Sequence, residues 1–142
     1  MKRLIGFLSV ATLAVVLAAP LPAQEFRVTA TVPFEFMVSG RTLPAGDYMV
    51  QRAGSSAASA IQISGANVSV VALVHSAGAS QNEKTGQAIL IFNRYGDQYF
   101  LSHISDGYRD TGVRLPTSRS EKELAKTASL LKFETVAVLA RR

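Results

Sequence analysis

The chain has 142 residues, a length typical of one domain, and its 15 lysines and arginines exceed its 10 aspartates and glutamates, giving a formal net charge of +5. Hydrophobic residues make up 48% of the sequence and charged residues 18%, which excludes a disordered chain and allows a packed core. The chain has no cysteine, and this excludes disulfides, thiol catalysis and cysteine-based metal sites. Its basic residues are spread out instead of clustered, so the composition does not predict a nucleic-acid-binding surface.

The first 24 residues have the pattern of a secretory signal peptide. Lys2 and Arg3 form a positively charged start, and an apolar run follows from Leu4 to Ala19. The run has about 16 residues, fewer than the ~20 that a membrane-spanning helix needs. A segment rich in proline and alanine ends the run, and we expect cleavage after Ala23 or Gln24.

The predicted organisation is therefore a signal peptide over residues 1–24 and a single β-rich domain over residues 25–142. This interpretation places the mature chain in the periplasm or outside the cell, with no membrane span after cleavage.

Alternating apolar residues predict strands in the first half of this domain. Every even-numbered position from Phe26 to Val38 is apolar, which indicates one long strand or two strands in phase, with one face buried. Pro33 cannot donate a hydrogen bond to a ladder, so the chain either lies at a sheet edge or bends there. Two further strands are predicted around Tyr48 to Val50 and around Ile61 to Ile63.

The middle of the chain is predicted to contain a buried strand followed by a loop. Val68–Val74 is an almost unbroken run rich in β-branched residues, which favours a strand that is covered on both faces. His75–Gly86 is small and polar, and this composition predicts a mobile loop.

A β-hairpin is predicted around Asn93–Asp97, between two apolar runs. We expect a three-residue loop formed by Arg94, Tyr95 and Gly96, with Gly96 at positive φ in a glycine bulge. This loop would place Ile91 opposite Tyr99. Both faces of the hairpin are apolar and both need to be covered.

One helix and a closing strand are predicted at the C-terminal end. Either Ser118 or Ser120 can begin the helix, because each is followed three residues later by a glutamate. The helix would place three apolar residues on one face, where they could cover the sheet: Leu124, Ala128 and Leu131. With a closing strand over Phe133–Ala140, the elements predict a mainly β fold, namely a small antiparallel β-sandwich or half-barrel with one C-terminal helix.

The sequence contains two weak candidate sites. The first is the hairpin tip, where Arg94, Tyr95 and Tyr99 could contact a ligand or could serve only the turn and the packing of the strand pair. The second is a metal site formed by the side chains of His103, Asp106 and Asp110, or else a strand end with solvated acidic residues. No catalytic residue and no cofactor is assigned, because the chain has no P-loop, no dinucleotide-binding glycine pattern and no Gly-x-Ser-x-Gly motif.

Three segments resemble an uncharacterised family of small exported bacterial proteins. They are Val-Pro-Phe-x-Phe-x-Val from Val32, Leu-Pro-Ala-Gly-x-Tyr-x-Val from Leu43, and Arg-Tyr-Gly-Asp-x-Tyr-Phe-Leu from Arg94. The segment from Leu43 is also similar to the turn and strand of prealbumin-like and collagen-adhesin-type β-sandwich domains. The resemblance implies export, and it supplies no catalytic or binding residue.

The function predicted from the sequence is that of an exported, non-enzymatic β-domain with a binding or structural role in the cell envelope or outside the cell. An envelope protein and a glycan are the partner classes left open. The alternative is a small metal-dependent hydrolase that uses His103, Asp106 and Asp110.

Overall fold

Strands make up most of the structure. The computed structural model describes residues 26–54, 59–78, 86–107, 111–127 and 133–141; the predicted signal peptide lies outside these residues. The elements in chain order are β1 (Arg27–Val32), β2 (Phe36–Val38), β3 (Arg41–Leu43), β4 (Gly46–Arg52), β5 (Ala60–Ser64), β6 (Ser69–Leu73), β7 (His75–Gly78), β8 (Ala88–Tyr95), β9 (Gln98–Ser105), β10 (Thr111–Arg114), α1 (Arg119–Thr127) and β11 (Phe133–Arg141).

The strands form one nearly closed, barrel-like sheet. Nine strands follow one another in the order β3-β2-β9-β8-β11-β1-β4-β5-β6, and β10 pairs with both β9 and β7. Because only Val74 separates β6 from β7, these two strands and β10 connect the β5 side of the sheet back to β9. The pairs are antiparallel except for β2 with β9. This architecture confirms the predicted mainly β fold with one C-terminal helix.

The period-2 pattern correctly predicts the buried face of the first strands. The even-numbered positions of β1 and β2 point into the core and are buried: Val28, Ala30, Val32, Phe36 and Val38. Strand β1 ends just before Pro33, and it is paired along both edges, with β4 and β11. Pro33 therefore lies at a bend between β1 and β2 and not at a sheet edge.

Two predictions for the middle of the chain are wrong. The run from Val68 to Val74 does form β6, but only its alternate residues are buried. Val71 and Leu73 are 61% and 70% exposed, because in the described residues nothing covers the outer face of β6. In the same residues β6 is paired along one edge only. The predicted loop begins later than expected, since His75–Gly78 forms β7 and pairs with β10. Residues 79–85 of that predicted loop lie outside the described residues.

The predicted hairpin is present, but its register differs from the prediction. Tyr95 pairs with Gln98 across a two-residue turn, and Ile91 pairs with His103 instead of Tyr99. Gly96 has φ +61°, as predicted, and it is the first residue of the turn, as in a type II′ turn. The extra residue is Ser102, which is skipped in the pairing of β8 with β9 and forms a bulge.

The helix begins as one of the two capping boxes predicts. The backbone N–H of Glu121 donates a hydrogen bond to Ser118 Oγ at 3.2 Å, so Ser118 is the N-cap residue and Ser120 lies within α1. The face that meets the sheet is less apolar than predicted. Leu124 is only half-buried, and the buried residue of α1 is Glu121. The other predicted face residues, at positions 128 and 131, lie outside the described residues.

Removing the N-cap hydroxyl should destabilise the protein. Ser118→Ala is expected to lower the free energy of unfolding by about 1 kcal/mol, because the Glu121 N–H loses its acceptor. Lys122→Ala is the matched control, and we expect a change below about 0.5 kcal/mol because Lys122 is exposed on the helix and does not contact the cap hydroxyl, whereas the Ser120 hydroxyl lies 3.1 Å from it. Urea unfolding of the two variants measures the difference. Equal effects would contradict the assignment of the cap.

Candidate functional site

A polar cleft lies between the N-terminal turn of α1 and the outer face of the sheet. Its volume is about 400 Å³. The residues that line it come from β8, β9, β10, β11, α1 and the segment before α1: Ile91, Asn93, Ser102, His103, Arg114, Leu115, Thr117, Glu121 and Thr135. The hairpin register and the Ser102 bulge bring Asn93 and His103 to this face of the sheet.

Glu121 is the buried charged residue of the cleft. Glu121 is 5% exposed. Its Oε1 accepts hydrogen bonds from Asn93 Nδ2 at 2.8 Å and from the Tyr95 hydroxyl at 3.4 Å. The residue lies three positions after the N-cap, where the unpaired N–H groups of a helix favour a negative charge. The carboxylate therefore connects α1 to β8.

Tyr95 has a raised pKa. Burial is the largest cause, and the negative charge of Glu121 and the hydrogen bond to its carboxylate raise the pKa further. All three effects favour the protonated phenol, which remains the donor in the hydrogen bond to Glu121.

This raised pKa predicts a loss of stability in strongly alkaline solution. The folded protein holds the phenol proton more tightly than the unfolded chain does, so the stabilisation is complete below the ordinary pKa of 10.0 and is lost as pH rises above it. Tyr95→Phe should therefore reduce the alkaline loss of stability. It should not abolish the loss, because burial also raises the pKa of Tyr48. Denaturant unfolding at a series of pH values tests this, and an unchanged pH dependence in the variant would contradict it.

The structure places two of the three candidate metal ligands in buried positions. His103 is 3% exposed and its ring lies against Gly112 of β10, while Asp106 is 6% exposed just after β9. The alternative interpretation, a strand end with solvated acidic residues, is wrong for Asp106 because that residue is buried. Asp110 lies outside the described residues. In the described ranges, no group of three histidine, aspartate or glutamate side chains could hold a metal ion.

The structure brings two of the three candidate residues of the hairpin tip together, Arg94 and Tyr99, and places Tyr95 on the opposite face of the hairpin. The guanidinium carbon of Arg94 lies 5.4 Å from the centre of the Tyr99 ring. Its Nε donates to the Gly96 carbonyl at 2.7 Å, and its Nη1 lies 3.2 Å from Glu134 Oε2.

Tyr99 and Tyr95 are each packed against a different phenylalanine. The Tyr99 ring stacks on Phe34 at a centroid distance of 3.9 Å. Tyr95 lies on the opposite face, where its ring meets the edge of Phe100 at 5.8 Å and its hydroxyl reaches Glu121. Tyr95 thus contacts Glu121, a residue that lines the polar cleft, whereas Arg94 and Tyr99 pack on the other face of the hairpin.

A second concave surface, the β6 groove, lies beside the outer face of β6 and has a volume of about 790 Å³. It is lined by Val71 and Leu73, by the turn between β2 and β3, and by the first residues of α1 with the segment before it: Ser39, Gly40, Val71, Leu73, Pro116, Thr117, Ser118, Arg119, Ser120 and Glu123. Sequence reasoning missed this groove because a run of β-branched residues is typical of a strand covered on both faces.

Both concave surfaces are formed by residues that are far apart in the sequence. The described helix, α1, has nine residues, and no described helix is long and apolar enough to cross a membrane.

Comparisons of the chain with protein-family models, curated proteins and solved structures gave no match.

Proposed function

We propose that the chain is an exported, non-enzymatic binding domain of the cell envelope or the extracellular space, and that it holds an extended segment of a partner protein along β6. The observation that carries this proposal is the exposure of Val71 and Leu73 on a strand that, among the described residues, pairs only with β5. Both side chains line the β6 groove.

The physical argument rests on how proteins treat the edges of sheets. An edge strand presents unpaired backbone N–H and C=O groups, and proteins usually protect it with charged residues, proline or a covering element. The exposed positions of β6 include two large aliphatic residues and no charged residue. Such an edge is suited to strand addition, in which backbone hydrogen bonds supply affinity and alternate side chains supply specificity.

The walls of the groove are consistent with a peptide occupant. The Ser39–Gly40 turn and the segment from Pro116 to Ser120 both line the groove. Arg119 and Glu123 add charged groups of both signs to the lining, and Glu123 already pairs with Lys126 at 2.8 Å, so Arg119 is the charged group offered to a bound chain. Of the two partner classes left open by the sequence, a protein suits this combination of aliphatic side chains and free backbone groups better than a glycan does.

Export is part of the proposal and is supported by the signal-peptide pattern of residues 1–24 and by the resemblance to small exported bacterial proteins. Intact-mass measurement of protein recovered from the envelope and the medium tests it. We expect a mass that begins at Gln24 or Glu25, and a mass that includes residues 1–23 would contradict the assignment.

Peptide selection tests the binding function. The immobilised chain is screened with a displayed library of random peptides, and the affinity of each selected peptide is measured by fluorescence anisotropy. We expect peptides with alternating apolar residues, and we expect the double variant Val71→Lys, Leu73→Lys to bind them at least ~10-fold more weakly, a change of about 1.4 kcal/mol. Hydrogen exchange should show that bound peptide protects the backbone amides of β6.

Leu139→Lys is the matched control for this experiment. Leu139 is 63% exposed, but it lies on β11, which is paired on both edges, and it does not line the β6 groove. This variant should bind the peptides like the unmodified protein. The proposal fails if no peptide is selected, or if the β6 double variant and the Leu139 variant bind equally well. It also fails if sedimentation shows that the unmodified chain is a dimer and that the β6 double variant is a monomer, because β6 would then pair with a second copy.

A further inference from the structure

We propose that the polar cleft binds a free α-amino acid in its zwitterionic form, with the ammonium group at Glu121 and the carboxylate at Arg114. The proposal concerns a different surface from the β6 groove and does not depend on the function proposed above. It rests on two side chains of opposite charge that line the same cleft, Glu121 and Arg114. It also rests on the contacts that these two side chains make with their described neighbours.

The first charge is the carboxylate of Glu121, which has unused capacity to accept hydrogen bonds. Both of its hydrogen bonds, from Asn93 and Tyr95, reach Oε1, and in the described part of the chain Oε2 accepts none. An ionised carboxylate offers about four acceptor positions. A buried charge is costly unless it is paired, and neither Asn93 nor Tyr95 brings a positive charge. An ammonium group donating to Oε2 would supply the positive charge that neither Asn93 nor Tyr95 brings.

The second charge is the guanidinium of Arg114. Arg114 lines the same cleft at the end of β10, and in the described residues it forms no ion pair with Glu121 or with any other carboxylate. A guanidinium binds a carboxylate through two parallel hydrogen bonds, which fix the orientation of the bound group. A ligand that carries an ammonium and a carboxylate on one carbon atom can therefore satisfy both side chains at once.

The size and the remaining lining of the cleft favour a small amino acid. A volume of about 400 Å³ lies near the lower end of the ~300–1,000 Å³ range of small-molecule sites. Ser102 and Thr135 provide neutral hydrogen-bonding groups, and Ile91 and Leu115 provide a short apolar wall for an aliphatic side chain. A ligand with one charge would leave either Glu121 or Arg114 without a counter-charge.

Isothermal titration of the full chain tests the proposal with defined probes. The zwitterionic probes are glycine, L-alanine, L-valine and L-serine, and the single-charge probes are ethylamine and propionate. We expect at least one amino acid to bind, and we expect each single-charge probe to bind at least ~10-fold more weakly than that amino acid.

Three variants locate the site. Arg114→Gln removes the guanidinium from an exposed position, and Glu121→Gln removes the negative charge while keeping an amide oxygen that can accept from Asn93 and Tyr95. Each should weaken binding of the amino acid at least ~10-fold. Arg41→Gln is the matched control, since Arg41 is exposed on β3 and lines neither the cleft nor the β6 groove; this variant should bind the amino acid with unchanged affinity.

Several results would overturn the proposal. One is that no amino acid binds the unmodified chain, and another is that the Arg114 and Arg41 variants bind the amino acid equally well. A third is that propionate binds as tightly as the amino acids, which would indicate a simple anion site at Arg114. If circular dichroism shows that the Glu121 variant has lost its helix, the Arg114 variant and the single-charge probes still decide the question.

Discussion

Phe92→Ala is expected to lower the free energy of unfolding by about 3–5 kcal/mol, the range for deleting a fully buried aromatic side chain. Phe92 is 0% exposed and lies on β8, which is paired with β9 on one edge and with β11 on the other. Its ring meets the rings of Phe34 and Phe36 edge to face, at centroid distances of 5.1 and 5.3 Å. Because both neighbouring strands hold the backbone of β8, the site cannot collapse to fill the cavity that alanine leaves.

Phe26→Ala is the matched control for this prediction. Phe26 is only partly buried at the start of the described chain, with the Arg52 guanidinium carbon 5.9 Å from its ring centre. Its removal should cost less, since its ring already contacts solvent. Urea unfolding of both variants measures the two costs. A Phe92 variant that is destabilised no more than the Phe26 variant would contradict the assignment of Phe92 to the centre of the core.

The features that depend on local pattern could be predicted from the sequence. Alternation from Phe26 to Val38 predicts which side chains of β1 and β2 are buried, because side chains in a strand point to opposite faces in turn. The spacing of Ser118 and Glu121 predicts the start of the helix, because the cap is a contact between residues close in sequence. Gly96 at positive φ is likewise a property of one turn.

The features that depend on tertiary neighbours could not be predicted in the same way. A single skipped residue, Ser102, moves His103 opposite Ile91, and no local signal in the sequence announces that bulge. The exposure of Val71 and Leu73 depends on whether another element packs against the outer face of β6. A run of β-branched residues predicts a strand, but it does not reveal whether the strand lies at an edge.

The polar cleft could not be predicted from the sequence for the same reason, because it depends on tertiary neighbours. Its principal residues are Asn93 on β8, Arg114 on β10 and Glu121 on α1, and only the fold brings them together. The sequence contains one signal, since Glu121 lies three residues after the N-cap Ser118 and is the glutamate of a capping box. That signal predicts a glutamate that reaches back toward the N-cap, whereas the side chain instead accepts hydrogen bonds from Asn93 and Tyr95.

Gly107→Ala is expected to lower the free energy of unfolding by about 2–5 kcal/mol, through backbone strain and steric overlap together. Gly107 has φ +76°, in the left-handed region that favours glycine, and a Cβ atom there would overlap the backbone of Gln87. The Gly107 carbonyl also accepts a hydrogen bond from the Gly86 N–H at 3.1 Å, which holds the two segments together. Gln87 cannot easily move away, because it directly precedes β8, which is paired on both edges.

Gly40→Ala separates the two causes. Gly40 has φ +80°, nearly the same as Gly107, but a Cβ atom there would meet nothing within 4 Å. Its replacement should therefore cost only the ~1–2 kcal/mol of an ordinary residue in the left-handed region. The additional cost in the Gly107 variant, measured by urea unfolding, is the cost of the overlap with Gln87. Equal costs at the two positions would mean that the backbone at Gln87 moves to accommodate the added Cβ atom. The start of β8 would then not be closely packed against the end of β9, and the prediction would be contradicted.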